Sequence, residues 1–126
     1  MRRIAESQNV SLDIHSASAR AAERYQLQGI EADTLSGEQL GLGNLGAGLR
    51  IESIRRVEWF LDAEADFSLM SAKLADVPRL GWEIWTVVPQ QCLGEAHRVF
   101  RDVADRIQGA WAREDGTVVF SVPEIP

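Results

Sequence analysis

Asp62, Glu64 and Asp66, in "FLDAEADF", are the densest group of side chains in this chain that could hold a hard cation. In an extended segment, residues two apart point to one side, so the three carboxylates would form a single oxygen-lined row. Such a row suits Mg²⁺ or Mn²⁺, which take a few carboxylates and keep several waters. The run is not an EF-hand loop: the sixth position from Asp62 is Phe67, not glycine, and the twelfth is Lys73, not glutamate. A solvated acidic turn accounts for it without any metal, because the helix dipole favours carboxylates at a helix N-terminus. Lys73 has its own interest as the one lysine among 13 basic residues. A lysine can give up its proton beside an attacking water, and an arginine in practice cannot. The alternative is an ordinary surface lysine on a helix.

Other groups carry less chemistry. Asp33 closes the short segment "GIEAD". Gly41, Gly43 and Gly46, in "GLGNLGAG", spell G-x-G-x-x-G, which cradles a pyrophosphate when a buried strand enters it and a helix leaves it. Here polar "SGEQL" precedes the glycines and the alternating "LRI" follows them. A loop between two strands is expected, and a dinucleotide-binding site through Gly41–Gly46 is the distant alternative. Asp62 alone favours the cofactor, standing where a ribose-binding acid would stand. Cys92 and His97 are five apart, which does not align them on one helix face. Adding His15 gives no zinc-ligand spacing. Arg55 and Arg56 are the candidates for a phosphate-facing pair on a nucleic acid; Arg98 and Arg101 come next.

The elements that would position these residues can be read from periodicity. Residues 16–29 suit a helix with Ala17, Ala21 and Tyr25 on one face, Ser16 or Ser18 as cap and Gly29 as stop. Residues 9–15 alternate, as a strand or the lead into that helix. Residues 30–35 are strand-like, and 49–62 read as two strands broken near Arg55 and Arg56. Asp66 can cap a helix that places Phe67, Met70, Leu74 and Val77 inward and stops at Pro78. Residues 81–89 are apolar enough for a central strand. A long helix is expected over 92–109, with Leu93, Ala96, Phe100, Val103, Ala104 and Ile107 in one stripe. A final strand is expected in 113–122. The order helix, three strands, helix, strand, helix, strand predicts an α/β fold with a mixed central sheet and flanking helices.

Length and composition narrow the classes. The 126 residues suit one domain, 1–126, with a core of its own. Apolar residues make up 45% and charged residues 25%, ordinary for a globular chain. The net charge of −6 is the wrong sign for a protein that grips nucleic acid over its whole surface. A local basic groove or a metal-loaded site stays open. No membrane-length apolar run is present and no apolar stretch follows the first arginines, so a cytoplasmic protein is expected.

The segments "GIEAD" and "FLDAEADFSLMSAKL", followed by "GWEIWTVVP", resemble the restriction-endonuclease-like superfamily, known by its P-D and D/E-x-K motifs. That core is a helix, a meander of three strands, a helix and a further strand. The resemblance implies that Asp33 takes the aspartate role with alanine in place of the motif proline, and that Asp62 takes the second carboxylate role. Glu64 stands at the lysine position. Branches such as replication-relaxation-type plasmid proteins carry the lysine further on, which would be Lys73. On this resemblance the expected function is a nuclease-like domain cutting DNA phosphodiesters. Its Mg²⁺ or Mn²⁺ would sit on Asp33, Asp62 and Glu64, with Lys73 beside the water. The alternative is a catalytically inactive module of the same fold that binds protein or DNA. A chain this short would draw its specificity from a protein partner or a homodimer.

Overall fold

A computed structural model describes residues 12–126. Its elements are α1 (Ile14–Leu27), β1 (Asp33–Ser36), β2 (Gly46–Ile51), β3 (Arg56–Leu61), α2 (Phe67–Ala75), β4 (Glu83–Pro89), α3 (Leu93–Val99), β5 (Arg106–Ala112) and β6 (Val118–Phe120). The six strands form one sheet in chain order. β1, β2 and β3 are an antiparallel meander, β3, β4 and β5 are parallel, and β6 returns antiparallel. The parallel steps need crossovers, which α2 and α3 supply. The fold is therefore α/β with an open mixed sheet.

Two separate cores hold the layers together. On one face, Ile14, Ala17 and Ala21 of α1 meet Leu49 and Ile51 of β2, Phe60 of β3 and Val87 of β4. On the other, Phe67, Met70 and Leu74 of α2 and Ala96 of α3 close over Trp59, Leu61, Val88 and Ile107. Successive side chains of a strand alternate between these faces, so the central strands are apolar on both sides. The hydroxyl of Thr86, on β4, is fully buried and has no hydrogen-bond partner among the described residues.

Local chemistry sets the boundaries. The first helix starts at Asp13 rather than at a serine: the Asp13 carboxylate accepts from His15 N at 3.0 Å and from Ser16 Oγ at 3.0 Å. Ser18 lies inside the helix and donates to the His15 carbonyl. Of the alternating stretch 9–15, residues 9–11 lie outside the described residues, and the rest leads into α1. Asp66 caps α2 as its position predicts, accepting from Leu69 N at 3.0 Å. Val77 falls beyond the end of α2 and is exposed.

The long helix expected over 92–109 is corrected. Only Leu93–Val99 is α-helical, and the chain then turns and enters β5. Asp105 is the pin. Its carboxylate accepts from Ile84 N at 2.8 Å and from Arg79 at 2.8 Å, and its own N–H donates to the Ile84 carbonyl at 2.7 Å. These bonds tie residue 105 to the start of β4, so the next residues must run as its neighbouring strand. Phe100, Val103, Ala104 and Ile107 are all buried on the same core despite the turn. A turn after one short helix satisfies the same apolar positions as a continuous helix would.

The glycine run also has a structural explanation. Gly37–Leu40 and Gly43–Leu45 are short 3₁₀ turns, and Gly46 opens β2 directly. No α-helix starts there to present N–H groups to a pyrophosphate. At Gly48, a Cβ would lie 2.7 Å from the Trp59 ring, so that position needs glycine for the sheet to accommodate the indole.

Candidate functional site

The sheet register separates the carboxylates that the sequence groups. Asp33 pairs with Arg50, and Arg50 with Val57, at the end of the sheet where β3 begins. Asp62 follows the far end of β3, its N–H bonded to the Leu45 carbonyl at 2.9 Å. The step from the Val57 row to Asp62 is roughly 17 Å at the rise of a strand. Asp33 and Asp62 therefore do not converge on one ion. Nor does the acidic run stay extended: the Asp62 carboxylate accepts from Glu64 N at 2.9 Å, and Ala65 N bonds the Asp62 carbonyl at 3.0 Å. The segment is a turn that hands the chain to the Asp66 cap. No three His, Cys, Asp or Glu side chains are grouped to hold a metal among the described residues.

Lys73 reaches back from α2 and donates to the Leu40 carbonyl at 2.9 Å, at the end of a 3₁₀ turn. It ties the glycine-rich loop to the helix. Burial first, and then the carboxylates of Glu95 and Asp62, push the Cys92 thiol up, which works against a thiolate nucleophile. Arg55 occupies a left-handed turn at φ 50° and is exposed. Arg56 is turned inward and is bonded within the protein, so the pair does not form one phosphate-facing surface.

The polar groups that do converge lie between α1 and the sheet. Arg56 and Glu58 project from β3 on the α1 side, one strand period apart. The Arg56 Nε donates to Glu83 Oε1 at 3.0 Å, and its Nη1 donates to the Tyr25 hydroxyl at 3.0 Å. Its guanidinium lies 3.9 Å over the Trp85 ring. The Tyr25 hydroxyl, from the last turn of α1, donates to Glu58. Glu58 is only 4% exposed, and its burial pushes the carboxyl up, opposed in part by the Tyr25 bond and by Arg56 and Arg24. Burial, then the bond to Glu58, pushes the Tyr25 hydroxyl up to about 12.

Tyr25, Arg56, Glu58 and Trp85 line an open cleft of about 460 Å³, with Arg24, Gln28, Gln108 and Phe120 completing its walls. Its size falls in the range of small-molecule sites. A buried carboxyl with a shifted pKa in a cleft marks a candidate functional site by its physics. Sequence reading passed over it for a concrete reason: Glu58 stands between Val57 and Trp59, where an acidic residue reads as the solvent face of a strand. The period-two pair of Arg56 and Glu58, with the chain's single tyrosine in the preceding helix, was the available clue. Comparison with protein-family models, curated proteins and solved structures found no match for the chain.

Proposed function

We propose that this chain is a binding module of restriction-endonuclease-like architecture, and that its working site is the cleft between α1 and the sheet. The element order supports the architecture: one helix, a three-strand meander, a helix and a further strand. The observation that carries the functional reading is the separation of Asp33 from Asp62 by the length of β3, while Tyr25, Arg56 and Glu58 come together in the cleft. A metal-dependent phosphodiesterase needs its carboxylates on one ion beside the attacked phosphate. A binding site needs a shaped cavity with a few convergent polar groups.

The test is incubation of the purified chain with single- and double-stranded DNA in Mg²⁺ or Mn²⁺. No cleavage is expected, and neither metal should raise the melting temperature, because no three potential ligands are grouped for it among the described residues. Cleavage with Mn²⁺ that disappears in both Asp62→Ala and Lys73→Arg would return the chain to the nuclease reading.

A further inference from the structure

We infer that the cleft binds a small organic anion, whose phosphate or carboxylate group sits on Arg24 and Arg56 and whose apolar body lies along Val122 and Pro123. This rests on the binding-module reading and names the ligand class of its site.

The charge of the lining points to an anion. Two arginines and one glutamate line the cleft, which makes it positive in a chain whose net charge is −6. Both guanidiniums also keep hydrogen-bond donors in hand. Arg24, in the last turn of α1, makes no hydrogen bond or ion pair among the described residues, and its guanidinium lies 5.5 Å over the Phe120 ring. That contact engages the face of the guanidinium and leaves its N–H edge for an oxyanion. Arg56 gives Nε to Glu83 and Nη1 to Tyr25, while its Nη2 has no partner among the described residues. Gln108 donates one N–H of its Nε2 to the Ser121 carbonyl and retains the second. Side chains from α1, β3 and β5 thus hold unused donors around one cavity. A phosphate or carboxylate accepts several such bonds at once, and a charged acceptor makes each of them stronger.

Glu58 is the one opposing charge in the lining. Its carboxylate takes the Tyr25 hydroxyl, Arg56 stands 3.8 Å away, and Arg24 also acts on its charge. The strands beside it place Leu49 and Trp85 opposite, and Glu83 of β4 is held by Arg56 and the Trp85 indole outside the lining. Burial already disfavours the charged form of Glu58, and an arriving anion favours the protonated form further. The protonated carboxyl donates to the ligand instead of repelling it. The apolar part of the ligand follows from the opposite wall. Val122 lines the cavity while 78% exposed, with Pro123 beside it. An open apolar wall facing two cations fits a ligand with an oxyanion head and a hydrocarbon body.

Isothermal titration of the whole chain at fixed ionic strength, with phenyl phosphate, benzoate, inorganic phosphate, acetate and phenol, separates head from body. At least one of the two organic anions is expected to bind saturably, and the tighter one names the head group. Inorganic phosphate and acetate should each bind about tenfold more weakly than their phenyl counterpart, and phenol should give no saturable heat. Arg24→Ala, at an exposed helix position, should weaken the tighter ligand by about tenfold or more. Arg20→Ala, on the same helix but paired with Glu23, should leave it unchanged. Val122→Ser should narrow the margin between the organic and the simple anion, and an unchanged margin would overturn the placement of the apolar body. Glu58→Gln, with circular dichroism confirming the fold, should bind the ligand at least as tightly as wild type. Weaker binding in that variant would show that the carboxylate accepts from the ligand, and would overturn the oxyanion assignment. So would the absence of saturable binding by either organic anion, phenol binding as tightly as phenyl phosphate, or an Arg24→Ala variant that matches wild type. Any of those results leaves the module reading standing, whereas Mn²⁺-dependent cleavage of DNA overturns that reading itself.

Discussion

Glu58 sets the acid–base behaviour of the cleft. Its folded pKa lies above the unfolded value near 4.5, because burial disfavours the charged form. The stabilisation linked to its proton is therefore fully present below pH 4.5 and is lost as pH rises through the raised folded value. Glu58→Gln removes that dependence. In urea titrations, the stability of the variant relative to wild type should improve from pH 4.5 towards neutrality, whatever constant offset the amide introduces. A difference that stays flat across this window would show that folding does not raise the Glu58 pKa. Asp33, Asp62, Glu64 and Lys73 are the residues that the sequence alone groups together. Their spacing was legible, but the register that sends Asp33 to the opposite end of β3 from Asp62 was not. A strand pairing depends on the loop between two strands as much as on the strands.

At the scale of elements, the meander, α2 and β4 were legible because each has a clean period and a recognisable stop. The glycine-rich loop was legible as a connection, though not the reason for its glycines. Gly48→Ala checks that reason: a methyl group driven against the Trp59 ring should cost roughly 1–3 kcal/mol by overpacking. A neutral result in thermal melts would mean that the indole has room to move. The segment 92–109 misleads because a seven-residue helix plus a turn buries the same apolar positions as one continuous helix. What ends the helix is Asp105, bonded to a strand distant in sequence, and no local pattern carries that information. Either arrangement buries Phe100, which is fully enclosed here. Phe100→Ala should cost about 3–5 kcal/mol, and the exposed Arg101→Ala within about 0.5 kcal/mol. Equal small losses in chemical denaturation would show that the ring is not part of the core.

The whole molecule is a sheet with two unequal covers. α2 and α3 are crossovers, each bound at both ends into parallel strands, and they cannot leave the sheet without disturbing β4. α1 is joined to the sheet by the chain on one side only among the described residues, and its last turn is held by the Tyr25 hydroxyl on Glu58. That bond is thus a latch on the cover that, among the described residues, is tied into the chain at one end only, and amide hydrogen exchange would test it. With Tyr25→Phe, the amides of α1 should exchange markedly faster while those of β4 keep the wild-type rate. Equal acceleration in both would mean that α1 and the sheet open only together. If the latch governs this layer, the cleft is also the molecule's seam: whatever fills it slows the parting of α1 from the sheet, and a ligand would be visible first as a change in how fast that helix trades its protons with water.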